Sequence, residues 1–116
     1  MPCGTRNPVN IAAAEARLRA ATAREAIART DFELEVTQAR GQFLAAEARV
    51  ETLAETSLPQ AEEALRLVRI GYRNGRFPLI EVLAAAEARD TIREALIQAQ
   101  EDRGRLAATL IWLGAQ

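Results

Sequence analysis

Apolar and small residues recur at Val36, Ala39, Phe43, Ala46, Val50, Leu53 and Ser57, in alternating steps of three and four. A repeat averaging about 3.5 residues predicts a helix packed along its length against a partner. A second stripe, Val82, Ala85, Arg89, Ile92, Leu96, Ala99, Arg103, Leu106, Leu110 and Leu113, keeps the same steps and is interrupted only by its two arginines. Alanines on both stripes let helix axes approach closely. Prolines stand at 2, 8, 59 and 78, and between Val9 and Leu58 nothing stops a helix. The expected fold is all-α, a long antiparallel coiled-coil hairpin. It comprises a loosely ordered N-terminal lead over 1–10, then one hairpin domain over 11–114 with helices at about 11–73 and 79–113.

The reversal falls at Arg73-Asn74-Gly75-Arg76-Phe77-Pro78. Asn74 and Gly75 can take the left-handed conformation that closes a helix, and Pro78 suits the first position of the next. The tip turn is therefore placed at 74–78. Glu81 falls in the following first turn, where a negative charge meets the positive end of the helix dipole. Around Pro59 two readings stand. Ser57 and Gln60 can form a capping box that restarts the chain, or one helix continues with a kink that leaves the Glu55 carbonyl unpaired. The kinked helix is preferred, because no glycine precedes the proline. At 1.5 Å per residue the first helix reaches roughly 95 Å and the second roughly 52 Å. The first thirty-odd residues of the longer helix then lack an intramolecular partner, and self-association is expected.

Composition agrees with helix: 25 alanines, 15 arginines, 13 glutamates and 13 leucines make up more than half of the 116 residues. Histidine and lysine are absent, Cys3 is the lone cysteine and Met1 the lone methionine. No metal site, haem or other cofactor is expected within one chain. Sixteen acids offset the arginines to a net charge of −1, so no basic stripe for nucleic acid is expected. The longest nearly apolar run, Ala107–Leu113, has seven residues, far short of the roughly 20 that cross a bilayer as a helix. Met1–Asn10 has no apolar core of a secretory signal, and no barrel strand is visible. The chain as given is expected to be soluble and a piece of a longer protein.

Glu15–Arg19, Glu25–Arg29, Glu62–Arg66 and Glu101–Arg105 stand four apart in the favourable order. The neighbouring carboxylates Glu62/Glu63 and Glu101/Asp102 project about 100° apart on a helix and frame no reaction site. No enzyme is expected.

The run Leu58-Pro59-Gln60-Ala61-Glu62-Glu63-Ala64-Leu65-Arg66-Leu67-Val68-Arg69-Ile70-Gly71-Tyr72-Arg73-Asn74-Gly75-Arg76-Phe77-Pro78-Leu79-Ile80-Glu81-Val82-Leu83 resembles the C-terminal repeat of TolC-like outer-membrane efflux proteins. It is most similar to the heavy-metal branch, the CzcC/CusC type. In that family a long helix descends into the periplasm, turns at a Tyr-x-x-Gly tip and returns to a closing Leu-Gly. Here the tip corresponds to Tyr72–Gly75 and the close to Leu113-Gly114. Upstream, Thr5-Arg6-Asn7 and Ile11 resemble the exit from the last barrel strand. The resemblance spans about Thr5 to Gly114. It implies a trimeric export duct of a tripartite efflux system, located in the periplasmic part of an outer-membrane protein. The tips would dock onto a periplasmic adaptor coupled to an inner-membrane pump.

On that basis Tyr72, Asn74, Gly75, Arg76 and Phe77 are the candidate adaptor-docking residues. Two departures from the family pattern stand out. Pro78 replaces a small polar residue, and Val82-Leu83-Ala84-Ala85-Ala86 lacks the aspartate of Val-Leu-Asp-Ala-Gln. Glu81 remains as the aperture acid candidate. Each residue also has a structural reading. Tyr72 can instead pack its ring at the end of the stripe, Arg76 can be a plain loop cation, Phe77 is preferred as a cover for the hairpin end, and Gly75 serves the turn. Gly41 and Gly104 suggest close approach of another helix, and Trp112 is expected to bury against the facing arm. The rival reading is a self-contained three-helix bundle, a structural or oligomerisation module, with a true turn at Pro59.

Overall fold

A computed structural model describes residues 7–116. Helix α1 spans Pro8–Thr52 and passes through a π-helical turn at Leu53–Ser57 into α2, Leu58–Arg73; α3 spans Leu79–Gly114. Among the described residues there is no strand, and the fold is the all-α helical hairpin expected. The described residues divide into two units, the first ending at Thr37 and the second Gln38–Gln116. The Cys3 thiol and the Thr5-Arg6 stretch lie outside the described residues.

In the first unit α1 begins three residues earlier than Ile11. The Asn7 side-chain Oδ1 accepts the Val9 N–H at 2.9 Å, and the Ile11 N–H donates to the Asn7 carbonyl at 3.0 Å. Asn7 thus caps the helix with Pro8 at its first position, where a missing N–H costs nothing. Every residue from Asn7 to Glu35 is exposed. Glu25 and Arg29 pair at 3.6 Å as the spacing predicted.

The second unit carries the core. Val36 at the boundary and Phe43, Ala46, Leu53 and Ser57 beyond it are half-buried, and Ala39 and Val50 are buried. On α3 each stripe position from Val82 to Leu113 is likewise withdrawn from solvent, with Ala99 and Leu113 most buried. Leu65, at 2% exposure, is the α2 anchor.

Pro59 does not turn the chain. Ser57 and Leu58 both have right-handed helical backbone angles, Ser57 makes no side-chain cap, and the Leu58 N–H reaches back five residues to the Leu53 carbonyl. The capping-box restart and the three-helix bundle built on it are therefore overturned. A proline ring clashes with the carbonyl four residues before it, here Glu55, and cannot donate to it; widening the turn accommodates both. The stripe carries the same irregularity, since Leu53, Ser57, Ala61 and Leu65 follow one another in three consecutive steps of four. Against the alternating threes and fours of a heptad pattern that is one residue too many, the residue the wide turn takes up.

Four ion pairs lie outside the expected i,i+4 set, Arg89 with its neighbour Asp90 at 2.6 Å among them. Arg66 forks onto Glu63 at 2.8 and 2.6 Å, which leaves Glu62 to accept from Arg93 of α3 at 3.3 Å, and Arg105 pairs with Asp102 at 2.9 Å instead of Glu101. Glu15 and Arg19 make no ion pair among the described residues. Cβ atoms built at Gly41 and Gly104 meet nothing within 4 Å, so neither marks a close helix crossing within the chain. Trp112 is 62% exposed while Leu113 beside it is buried. The stripe's phase assigns the inward place to Leu113, and the indole next to it points elsewhere. No helix among the described residues is long and apolar enough to cross a membrane.

Candidate partner-binding tip

The turn is built from backbone bonds that close α2. The Asn74 N–H donates to the Ile70 carbonyl at 3.1 Å, Gly75 to Tyr72 at 3.0 Å, and Arg76 to Gly71 at 2.7 Å. The last two form the paired bonds of a Schellman motif, which satisfies carbonyls a helix end otherwise leaves open. Its left-handed position is Gly75, φ 71°, the sole positive φ among the described residues. Asn74 does not share that conformation; it sits at φ −92°, ψ 8°, because a Schellman closure needs one left-handed residue.

Beyond the turn the chain is held by a contact the sequence reading missed. Gly71 is buried, and a Cβ placed on it would collide with the Phe77 ring, whose Cε2 would lie 2.5 Å away. The ring therefore rests in a notch that only glycine provides. Phe77 covers the end of the hairpin, as preferred, while remaining 45% exposed. Phe77 stands one residue beyond Arg76, the position from which the motif's usual hydrophobic contact is made, so spacing alone did not signal the notch.

Pro78 precedes α3 as its N-cap, with extended angles of φ −72° and ψ 159°, rather than occupying its first helical position; its carbonyl accepts the Glu81 N–H at 3.0 Å. With no side-chain acceptor at the cap, the acid of the first turn, Glu81, is the charge that complements the helix N-terminus.

The candidate residues thus come together at one end. Tyr72, Asn74, Gly75, Arg76 and Phe77 are all exposed and contiguous around the closure, and Glu81 is exposed one turn into α3. Leu79 and Ile80 beside them are 50% and 66% exposed. A rigid turn carrying two aromatic rings, two aliphatic side chains and the cations Arg73 and Arg76 suits protein contact more than chemistry. Among the described residues no group of three or more potential metal-ligating side chains is found.

A family model described as outer membrane efflux protein matches residues 3–113. Comparison with curated proteins gives no match, and comparison with solved structures gives none.

Proposed function

Because the chain belongs to the outer membrane efflux protein family, we propose that it supplies a periplasmic α-helical hairpin to a trimeric export duct, its tip docking onto an adaptor of a tripartite system. The observation that carries this reading is the family match over nearly the whole of a chain that folds as a hairpin. The exposed rings of Tyr72 and Phe77 and the loop cation Arg76 supply anchors of the type that dominate protein contacts. The inner-membrane pump supplies the energy, and cargo passes through the duct unchanged. The tip sequence from Tyr72 through Leu83 supports the finer assignment to the heavy-metal branch. Glu81 is then the acid offered to cations at the aperture, in place of the absent aspartate.

Photo-cross-linking in cells tests the docking. A reactive side chain at position 72 or 76 is expected to trap the adaptor, and one at Leu18 is not. Arg76→Glu combined with the position 72 probe is expected to lower the yield several-fold. Equal adducts from Leu18 and the tip, or none from the tip, would refute it.

A further inference from the structure

A groove of about 470 Å³ lies between the two arms behind the tip, lined by Arg66, Arg69 and Arg73 of α2, Arg89 and Arg93 of α3, and one acid, Glu62. Arg66, Arg89 and Arg93 have carboxylate partners in Glu63, Asp90 and Glu62. Five arginines thus meet three carboxylates, and the excess of two positive charges rests on Arg69 and Arg73, which make no ion pair among the described residues. The chain as a whole carries a net charge of −1, so this excess is local. Arg89 is out of place as a packing residue. It takes a stripe position of α3 where apolar residues otherwise stand, and its side chain is only 19% exposed. A largely covered guanidinium costs desolvation that an aliphatic side chain would not, and departures from local pattern of this kind gather at functional sites.

The spacing of the cations describes what fits. Arg69 and Arg73 stand four residues apart on α2, as Arg89 and Arg93 do on α3, which is about 6 Å along a helix. From Arg66 to Arg73 the row extends about 10 Å, longer than a single phosphate or carboxylate fills. Ile70, 40% exposed among these cations, offers an apolar contact that an inorganic anion does not use. A groove between two helices, with cations at one-turn intervals, matches a third helix laid along it with carboxylates at the same intervals. Hairpins packed side by side through their outer edges leave a groove between the arms uncovered, so the site is compatible with the duct. We propose that this groove seats an acidic helical segment of a partner protein, with carboxylates one turn apart on Arg69 and Arg73 and an aliphatic side chain against Ile70. This goes beyond the tip-docking reading and holds whether or not the tip meets an adaptor.

Fluorescence anisotropy tests it, with the whole chain titrated at low ionic strength into a labelled alanine-rich helical peptide that carries glutamates at successive steps of four and a leucine between them. Binding is expected, weakening with added salt. Replacing the glutamates by glutamine, or spreading them round the helix at the same composition, is expected to weaken binding about tenfold or more. Arg69→Gln/Arg73→Gln is expected to lower affinity by a similar factor. Arg17→Gln/Arg24→Gln removes the same charge from the exposed first unit and is expected to leave binding unchanged, with circular dichroism confirming that each variant keeps the parent's helicity. No binding at low salt, equal binding of the peptide with spread glutamates, or equal losses from the two double variants overturns the proposal. Release of the peptide by inorganic phosphate, where sodium chloride of the same ionic strength leaves it bound, also overturns it and marks a small-anion site. Adaptor cross-linking at the tip reports on the duct reading separately.

Discussion

Leu18 and Leu65 both sit on long, alanine-rich helix, yet the first is 68% exposed and the second 2%. The difference separates the two units. Over Asn7–Glu35 the helix is sustained by propensity, its Asn7 cap and local pairs such as Glu25–Arg29, with its apolar side chains Val9, Leu18 and Ile27 facing outward. From Gln38 onward the same kind of helix closes on a returning arm and buries its stripe. Similar local chemistry thus yields two different degrees of support, because most helical stability in proteins comes from packing one face.

The sharpest way to break the comparison is to truncate both leucines. Leu65→Ala is expected to cost about 2–5 kcal/mol, and Leu18→Ala less than about 0.5 kcal/mol, measured by thermal or denaturant unfolding at one protein concentration. Equal losses would mean that the first unit is packed in solution. The turn comes next. Gly75→Val forces a β-branched side chain into a left-handed backbone, at about 1–3 kcal/mol. The melt of the second unit should fall while hydrogen exchange over residues 12–34 stays unchanged; an unaltered melt would refute the left-handed closure. The smallest effect concerns Glu63. The hydrogen bond from Arg66 holds its carboxyl below the ordinary carboxylate range and Arg66 above its own. A carboxyl lowered on folding stabilises the fold above its unfolded value and loses that contribution as pH falls through the folded value. Comparing parent and Glu63→Gln melts at about pH 7 and about pH 3 should show a slight difference at the higher pH that is smaller at the lower, and that shrinks with salt. Both side chains are more than half exposed, so a large difference would contradict the surface pair described.

What could be read in the sequence was periodic or steric. The stripes Val36–Ser57 and Val82–Leu113 predicted which side chains turn inward, because helix geometry converts spacing into direction without further information. Gly75 was legible for the same reason, since one residue type fits one backbone angle. Contacts set by three-dimensional neighbours were not. Whether Arg66 takes Glu62 or Glu63 depends on Arg93 arriving from the other arm. The Gly71 notch exists only once the turn brings Phe77 back. At Pro59 the sequence left a restart and a kink both open, and the wide turn that resolves them is a backbone solution with no side-chain signature beyond the irregular steps of four. At the tip Tyr72 to Phe77 are exposed around the turn, and exposure alone carries no sign of what they touch.

The π-helical turn before Pro59 has a consequence for how the chain tolerates length changes. It already holds a surplus residue, so losing one position between Leu53 and Ser57 would keep the phase beyond it, at the cost of returning the proline ring to the carbonyl four residues before it. The same loss between Ile92 and Ala99, where α3 keeps its steps unbroken, would swing every later side chain by about 100° and carry Leu106, Leu110 and Leu113 off the shared face. One arm has slack built into it and the other has none.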